Sequence, residues 1–253
     1  METFTAPYTK FAAAYDKMME NVDYVRWADY IAKLFALYNF HPRRVLDVAC
    51  GTGSTAILLA EKGYEMSGVD RAFEMLLRAR EKAKRHSDVH LKLWQQDMRQ
   101  LTVNQPYDAV LCLYDSINYI ITEDEIRKVF AKVSKALIPG GMFIFDVTTE
   151  YNILKNFHRQ TFAENCNGFS YIWKNLYIHR EKICKTVLTF FLREDDYYRK
   201  YDELHIQKIY SVDQIKELLE QTGYKLISAF DAFTFNKWNK MSERINFTAV
   251  KKE

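Results

Sequence analysis

The chain contains 253 residues, of which 48% are hydrophobic and 27% are charged. These proportions are ordinary for a folded globular protein and argue against intrinsic disorder. The 36 Lys and Arg residues outnumber the 33 Asp and Glu residues, and the formal net charge of +3 neither requires nor excludes a nucleic-acid partner. The length suits one α/β domain with an elaboration, or one large domain with a small one.

The cysteines and the polarity pattern bear on the cellular compartment. The four cysteines are widely spaced and form no CxxC pair, and the six histidines are scattered, so we expect reduced thiols and no metal site. No apolar run approaches the roughly 18 residues of a membrane span. The first residues lack the basic flank and apolar stretch of an export signal. We therefore expect a cytoplasmic protein with no membrane partner.

Between residues 43 and 147, short β-branched runs alternate with helical periods. The pattern predicts strands at 45–49, 65–69, 89–95, 109–113 and 142–147, with helices at 55–62, 73–86 and 124–137. Thr122, with Glu125 three positions later, is typical of a capping box at the start of the last of these helices. Such alternation predicts right-handed crossovers and a parallel sheet covered by helices on both faces.

The flanking segments have different periods. Apolar and aromatic side chains at helical spacing predict two helices within residues 8–38. Downstream, alternation and charged turns predict three antiparallel strands at 169–173, 183–192 and 197–209. A helix at 212–221 and strands at 226–230 and 245–250 complete the predicted elements.

The segment 45–54 carries the strongest functional signal, because an apolar strand runs into a glycine turn just after Asp47. Gly51 and Gly53 allow a nucleotide-like ligand to lie against bare backbone at the end of a parallel strand. Asp70 ends the next apolar strand, 19 residues after Gly51. A carboxylate there can accept hydrogen bonds from both hydroxyls of a ribose. We therefore predict an adenosine-containing cofactor.

Three cofactor classes compete for the glycine turn. The turn formally satisfies the GxGxxG/A fingerprint of dinucleotide sites, but no Lys-Ser/Thr follows at the spacing of a phosphate-binding P-loop. Asp47 would repel a pyrophosphate, whereas it would attract the ammonium and sulfonium groups of S-adenosylmethionine. Asp97 ends the third strand, where it can accept a hydrogen bond from an adenine amino group. These two carboxylates favour S-adenosylmethionine over NAD.

Several motifs together resemble the class I S-adenosylmethionine-dependent methyltransferases. The matching segments are 47–53 (DVACGTG), 68–70 (GVD), 96–98 (QDM) and 137–146 (LIPGGMFIFD). The resemblance spans nearly the whole chain. More narrowly, residues 8–19, 23–27 and 115–120 resemble a bacterial subgroup of small methyltransferases with an N-terminal helical cover and an antiparallel insert.

The resemblance implies a set of cofactor-binding positions. These are Tyr15, Trp27, Asp47, Gly51, Gly53, Asp70, Arg71, Met75, Asp97, Met98 and Leu113. In this assignment Asp47 balances the cofactor's ammonium group, Asp70 holds the ribose, and Asp97 meets the adenine. Tyr8, Tyr15 and Trp27 would close over the cofactor from the N-terminal helices.

Each assignment has a structural alternative. The three carboxylates are also suited to capping the turns and helices that follow them. Tyr15 and Trp27 lie at helical spacing, which by itself is more typical of core packing than of a cofactor lid. Arg71 and the basic run at residues 78–85 are also explained as solvated positions on the protein surface.

The segment 151–208 predicts a basic, aromatic insert, with ten Lys or Arg residues against seven Asp or Glu residues and 12 aromatic residues. Such a surface can stack nucleobases, but the acidic segment 194–196 interrupts it. A pocket wall for a small amphipathic substrate is therefore favoured, and a nucleic-acid partner is left possible but not favoured.

Together these patterns predict a Rossmann-like methyltransferase fold: a seven-stranded, mostly parallel sheet whose last strand is antiparallel, helices on both faces and a small antiparallel insert. The predicted units are a helical cover with the cofactor-binding core (residues 1–150), the insert as substrate lid (151–208) and the end of the core sheet (209–253). We expect a monomer or a homodimer.

The predicted reaction is methyl transfer to a nitrogen or oxygen of a small molecule. The candidates for a general base are Tyr114, Asp115 and Tyr119, and His179 or His205 could reach the site from the insert. Three alternatives stay open: an RNA methyltransferase, an NAD(P)-dependent oxidoreductase and a non-catalytic cofactor-binding regulator.

Overall fold

The computed structural model of the protein describes residues 4–86, 89–166 and 168–253. The α-helices are α1 (Tyr15–Met18), α2 (Tyr24–Leu37), α3 (Ser54–Glu61), α4 (Phe73–Ala83), α5 (Glu123–Ala136), α6 (Glu150–Asn152) and α7 (Val212–Gln221). The strands are β1 (Arg44–Val48), β2 (Glu65–Asp70), β3 (Lys92–Gln95), β4 (Tyr107–Cys112), β5 (Leu137–Thr148), β6 (Thr161–Cys166), β7 (Phe169–Ile178), β8 (Ile183–Glu194), β9 (Tyr197–Lys208), β10 (Tyr224–Asp231) and β11 (Arg244–Lys251).

A seven-stranded sheet forms the core in the order β10-β11-β5-β4-β1-β2-β3. Strand β11 is antiparallel to both of its neighbours, and the pairs among β1 to β5 are parallel. This arrangement confirms the predicted Rossmann-like sheet with an antiparallel last strand. Its order reverses between β1 and β4, and open α/β sheets bind ligands in the crevice at such a reversal.

Helices cover both faces of the large sheet. On one face, α2 and α3 pack on side chains such as Val45 and Leu111. On the other face, α5 and α7 pack on Leu46, Val110 and Phe143. Successive residues of one strand thus point into different apolar layers. That explains why β1 and β4 are apolar throughout, as strands buried on both faces require.

The insert forms a second sheet of four antiparallel strands in the order β6-β7-β8-β9. The sequence predicted three strands, and β6 was missed. Strand β6 lies at the edge of the sheet, and its first five residues are exposed. Its sequence therefore lacks the apolar alternation of a half-buried strand.

The N-terminal segment departs from the prediction of two full helices within residues 8–38. Only α2 is long, and it is preceded by a 3₁₀ turn at Phe11–Ala13 and by the four-residue helix α1. Tyr8 has a φ of +65°, which breaks any helix before the 3₁₀ turn. The segment instead contacts the insert, where the Thr5 N–H donates to the Asp202 carbonyl at 2.9 Å.

The remaining differences lie at element ends. Strand β3 begins at Lys92 instead of residue 89, α4 ends at Ala83 instead of 86, and β5 runs from Leu137 through the predicted turn. The Thr122 side chain accepts a hydrogen bond from the Glu125 N–H at 3.3 Å, which is one of the two hydrogen bonds of the predicted capping box, while the Glu125 carboxylate accepts from the Thr122 hydroxyl at 3.4 Å. All four cysteines are free. Among the described residues, no helix is both long and apolar enough to cross a membrane.

Gly53 precedes α3 and provides a test of how closely the helices pack. Its φ is +74°, and an added Cβ would lie 3.2 Å from the Cβ of Ala79 on α4. Gly63 has a φ of +94° but no atom within 4 Å of such a Cβ. We expect Gly63→Ala to lower the free energy of unfolding by about 1–2 kcal/mol, through backbone strain alone. Gly53→Ala adds crowding and should cost about 2–4 kcal/mol.

Urea denaturation of the two variants checks this expectation. Equal losses of stability in Gly53→Ala and Gly63→Ala would show that α3 and α4 do not depend on the close approach at Gly53.

Candidate functional site

A cavity opens at the carboxyl ends of the parallel strands. We call it the strand-end cavity. Its lining comprises Tyr8, Tyr15, Tyr24, Asp47, Ala49, Cys50, Gly51, Thr52, Ser54, Thr55, Asp70, Arg71, Met75, Gln96, Asp97, Met98, Arg99, Leu113, Tyr114, Ser116, Tyr119 and Ile120. Nine of the eleven predicted cofactor-binding residues therefore line one cavity, and Trp27 and Gly53 do not.

The glycine turn, residues 49–53, curves across the floor of the strand-end cavity. Ala49, Gly51 and Gly53 all have positive φ angles, between 56° and 74°. Glycine adopts such angles without strain, which accounts for two of the three positions. A Cβ at Gly51 would lie 3.3 Å from the Met75 Cε atom, so the missing side chain also makes room. Gly53 serves the packing of α3 on α4 instead of the cavity.

Asp70 connects the glycine turn to the start of α4. Its Oδ2 atom accepts from the Gly51 N–H at 2.9 Å, and its Oδ1 atom accepts from the Ala72 N–H at 2.8 Å. The capping role that was the structural alternative for Asp70 is thus present in the structure. Each carboxylate oxygen has a second lone pair, so Asp70 can still accept hydrogen bonds from a ligand. Burial raises its pKa, while both backbone N–H groups act in the opposite direction.

Asp47 lies deeper in the strand-end cavity and is only 4% exposed. Burial raises the pKa of Asp47 to about 8, and the negative charge of Asp70 adds to the effect. A carboxyl group in such surroundings ionises readily only when a positive charge comes close. The site is therefore electrostatically suited to a cationic ligand.

Asp97 differs from the other two carboxylates because it already has a cationic partner. Its side chain accepts from the Arg99 N–H at 2.8 Å and forms an ion pair with the Arg99 guanidinium at 2.6 Å. These contacts hold the pKa of Asp97 below its usual range. Asp97 thus caps the 3₁₀ turn at Met98–Gln100 and also lines the cavity.

Tyrosines cover the cavity, whereas Trp27 belongs to the core. Trp27 is 4% exposed and packs between Tyr114 and Phe233, with ring centroids 4.6 Å from each. Its side chain contributes to the packing of α2, so the structure favours the core interpretation for this residue. Sequence analysis missed Tyr24, which lines the cavity from the first turn of α2.

Lys82, in the basic run at 78–85, is only partly exposed, with 24% of its side chain accessible to solvent. The Lys82 ammonium lies 2.8 Å from Asp16 on α1 and donates to the hydroxyls of Thr52 and Ser54 at 3.0 and 2.8 Å. The interpretation of a uniformly solvated face was therefore wrong for Lys82. The residue fastens the N-terminal cover to the glycine turn, a long-range contact that helical periodicity does not encode.

A second cavity lies between the N-terminal segment, the insert and the end of β5. We call it the insert cavity. Its lining comprises Tyr8, Phe11, Tyr15, Met18, Met19, Val22, Tyr114, Asp115, Tyr119, Thr148, Asn152, Ile153, Phe157, Trp173, Asn175, Cys184, Thr186, Leu188, His205, Gln207 and Arg244. Tyr8, Tyr15, Tyr114 and Tyr119 line both cavities, so the two spaces meet at these four rings.

The three candidate bases lie together at this junction but have different surroundings. The Tyr114 hydroxyl is buried without a hydrogen-bond partner among the described residues. Asp115 forms an ion pair with Arg244 at 2.7 Å. The Tyr119 hydroxyl lies 2.6 Å from the Tyr8 hydroxyl and 3.1 Å from Nδ1 of His205. Of the three, only Tyr119 is hydrogen-bonded to another group that can take up a proton.

Of the two histidines predicted to reach from the insert, the structure brings one to the site. His205 on β9 is buried and lines the insert cavity. His179 follows the end of β7, its ring centroid lies 4.9 Å from that of Tyr177, and it lines neither cavity.

Comparison with known proteins agrees with the geometry. A family model described as a methyltransferase domain matches residues 45–141. A protein of Geobacillus sp. strain WCH70, whose name places it among the methyltransferases, is 35% identical over 246 residues, covering 96% of this chain and 99% of that relative.

Two solved structures share the fold across the chain. An S-adenosylmethionine-dependent methyltransferase from Clostridium acetobutylicum has a TM-score of 0.85 at 31% identity and covers 96% of this chain and 98% of its own. A sugar N-methyltransferase from Streptoalloteichus has a TM-score of 0.80 at 18% identity and covers 100% of this chain and 97% of its own.

The raised pKa of Asp47 generates a test of the predicted cofactor. If Asp47 faces the cofactor's ammonium group, binding must remove a proton from the carboxyl group below about pH 8. The affinity for S-adenosylmethionine should then rise between pH 6 and 7.5, by up to about tenfold per pH unit. Calorimetry in two buffers of different ionisation enthalpy measures the proton released.

Asp47→Asn is the matched control for this experiment, because it keeps the shape but cannot ionise. The variant should bind S-adenosylmethionine more weakly and with a flat pH dependence over the same range. An unchanged slope in Asp47→Asn would assign the proton to another group.

Asp70 offers a second test, with Asp108 as its control. Asp108 also accepts two backbone N–H groups, from Arg43 and Arg44 at 2.8 Å, but it lies outside the strand-end cavity. Asp70→Ala should weaken S-adenosylmethionine binding by about 1.5–3 kcal/mol through lost charge-assisted hydrogen bonds. Asp108→Ala should change it by less than about 0.5 kcal/mol, since distant sites act independently. Equal affinities in calorimetry would contradict the ribose assignment.

Proposed function

Because the chain belongs to the class I S-adenosylmethionine-dependent methyltransferases, we propose that it methylates a nitrogen or oxygen atom of a small molecule held in the insert cavity. The observation that carries this proposal is the meeting of the two cavities at Tyr8, Tyr15, Tyr114 and Tyr119. A cofactor in the strand-end cavity and an acceptor in the insert cavity would place the reacting atoms at these rings.

The residues of the strand-end cavity fit the cofactor's three parts. Asp47 would balance the ammonium group, and the backbone at Gly51 would accommodate the methionine portion. Asp70 would accept from the ribose hydroxyls, and Asp97 would accept from the adenine amino group. Arg71, Met75, Met98 and Leu113 complete the walls around the sugar and the ring.

The bound cofactor supplies an activated methyl group on a positively charged sulfur. The protein's part is then to align the acceptor's lone pair with the bond that breaks and to exclude water. The insert cavity suits this task, because Phe11, Phe157, Trp173 and Leu188 form apolar walls around it. Aromatic rings at the junction also stabilise a cationic sulfur through their electron-rich faces.

The charges of the insert cavity favour a small molecule over RNA. Arg244 is the one Lys or Arg among its described lining residues, and it pairs with Asp115 at 2.7 Å and with the buried Asp146. A cation held between two carboxylates has little remaining attraction for a phosphate backbone. The segment 151–208 would serve as the acceptor-binding lid, since three of its strands, β7, β8 and β9, contribute to the lining.

An amine is the acceptor that the comparisons favour within this proposal, since a solved structure of the same fold is a sugar N-methyltransferase. A hydroxyl acceptor remains within the proposal because the Tyr119 and His205 side chains lie beside the cavity.

Free cysteines agree with the cytoplasmic location that we expect. A monomer or a homodimer remains the expected assembly.

The direct test is transfer of radiolabelled methyl groups from S-adenosylmethionine. The acceptors are an ultrafiltered small-molecule extract of bacterial cells and, in parallel, a total RNA pool. We expect radiolabel to appear in the small-molecule fraction only when the active protein is present. Label confined to RNA would overturn the acceptor class, and label in neither pool would overturn the proposed reaction.

Filling the insert cavity should block methyl transfer without affecting cofactor binding. Leu188 on β8 is buried against the cavity, whereas Leu176 on β7 is 50% exposed and does not line it. Leu188→Trp should lower methyl incorporation into the extract about 100-fold, because the indole ring would displace the acceptor. Leu176→Trp introduces the same ring outside the cavity and should leave incorporation near that of the wild type.

Calorimetry with S-adenosylhomocysteine and thermal melting accompany the assay, because overpacking can also destabilise the fold. We expect both variants to bind S-adenosylhomocysteine within about threefold of the wild type. Full methyl transfer by a folded Leu188→Trp variant would move the acceptor site out of the insert cavity.

A further inference from the structure

Strand β9 carries two buried ionisable side chains, Glu203 and His205, beside the junction of the two cavities. Glu203 is fully buried and His205 is 7% exposed. The Nε2 atom of His205 lies 3.4 Å from a carboxylate oxygen of Glu203 and has no hydrogen-bond partner among the described residues. A buried imidazole nitrogen without a hydrogen-bond partner costs free energy, so its presence calls for an explanation.

Glu203 is held in place by the N-terminal segment. Its Oε2 atom accepts from the Tyr8 N–H at 2.8 Å, and its Oε1 atom accepts from the Phe11 N–H at 3.1 Å. These two backbone donors fix the carboxylate in position beside His205.

On its other side, His205 begins a chain of hydrogen bonds that leads to the cofactor. Its Nδ1 atom lies 3.1 Å from the Tyr119 hydroxyl, which lies 2.6 Å from the Tyr8 hydroxyl. Both tyrosines line the strand-end cavity and the insert cavity, whereas His205 lines the insert cavity alone. The chain thus joins the place where a methyl group would be transferred to a buried imidazole.

We propose that the proton lost by the acceptor passes through the hydroxyls of Tyr8 and Tyr119 to Nδ1 of His205, and that Glu203 stabilises the resulting imidazolium. This inference rests on the proposed function. As the acceptor's lone pair bonds to the methyl carbon, the carbon–sulfur bond breaks and its electron pair stays on sulfur. The acceptor's N–H or O–H proton moves to one tyrosine oxygen while each hydroxyl passes its own proton onward. The proton that leaves Tyr119 forms the new N–H bond on His205.

The hydroxyls of Tyr8 and Tyr119 are suited to pass a proton on, and not to hold a negative charge themselves. Burial raises the pKa of Tyr8 and of Tyr119 well above the ordinary value, so neither is a phenolate at neutral pH. A neutral hydroxyl both accepts and donates a proton, as a conductor must. The final acceptor has to be a group with a free lone pair that can gain a proton, which a neutral imidazole nitrogen has.

The other charged groups around the insert cavity do not replace His205 as the proton acceptor or Glu203 as its carboxylate partner. Asp115 and Arg244 face the same space, but they are paired with each other at 2.7 Å. Gln207 donates to the Asp115 carboxylate, and Thr186, which faces His205 across the β8–β9 pair, does not ionise. Glu203 is thus the carboxylate that contacts His205 directly.

The arrangement itself is tested by nuclear magnetic resonance of ¹⁵N-histidine-labelled protein bound to S-adenosylhomocysteine. We expect His205 to carry its single proton on Nε2 in the resting protein, because Nδ1 accepts from Tyr119. Tyr119→Phe removes that donor and should shift the Nδ1 resonance, whereas His179→Gln should leave the His205 resonances unchanged. A resting His205 protonated on Nδ1 would overturn the proposed direction of transfer.

The catalytic part is tested by methyl incorporation into the small-molecule extract as a function of pH. S-adenosylmethionine is kept at a saturating concentration throughout, so that the pH dependence of cofactor binding predicted for Asp47 does not contribute. Wild-type activity should fall as the pH drops through the range in which imidazole becomes protonated. His205→Gln should lose about 10²–10³-fold in rate at neutral pH and lose this pH dependence, while S-adenosylhomocysteine affinity stays within about threefold. Glu203→Gln should lower the rate in the same direction, and His179→Gln should behave as the wild type.

The outcomes separate the two proposals. No incorporation by the wild-type protein would overturn the proposed function, and the proton route with it. Incorporation that His205→Gln and Tyr119→Phe leave unchanged in rate and pH dependence would overturn the proton route alone.

Discussion

The hydrogen bond from the Gly51 N–H to the Asp70 carboxylate, 2.9 Å long, joins the turn after β1 to the tip of β2. It fixes the path of the backbone across the crevice, because the same carboxylate also holds the Ala72 N–H at the start of α4. A side chain at Gly51 would crowd Met75 and strain a backbone with a φ of +56°. The shape of the crevice is therefore set by the Asp70 carboxylate, the peptide at Gly51 and the register between β1 and β2.

Burial then decides which ligand the crevice prefers. Asp47 and Asp70 lie together in a low-dielectric site, and burial raises the pKa of both. A cation relieves this cost, whereas a pyrophosphate would increase it. Two other carboxylates already have cationic partners: Asp97 is paired with Arg99, and Asp115 with Arg244. The structure thus separates carboxylates available to a cationic ligand from those whose charge is satisfied within the protein.

Features that depend on residues close together in the sequence were predictable, and features that depend on distant residues were not. The parallel sheet and the carboxylates at its strand tips were predictable, because apolar runs and glycine turns are encoded within a few residues. Strand β6 escaped because an exposed edge strand has no apolar face, and Lys82 escaped because its partners lie on other elements. Trp27 was placed on the cofactor by resemblance, although helical periodicity alone favoured the core position that the structure shows.

The acceptor side of the site depends on contacts that no local pattern contains. Glu203 accepts hydrogen bonds from Tyr8 and Phe11, residues 195 and 192 positions away, and the same carboxylate lies beside His205. If the N-terminal segment moved away, Glu203 would lose both backbone donors, and Tyr119 would lose its contact with the Tyr8 hydroxyl in the same step. In the proposed function, covering the cofactor and completing the hydrogen-bond chain would therefore be one structural event. The proposed proton route would then be complete only when the N-terminal segment closes the cavity, and exclusion of water is also what methyl transfer requires.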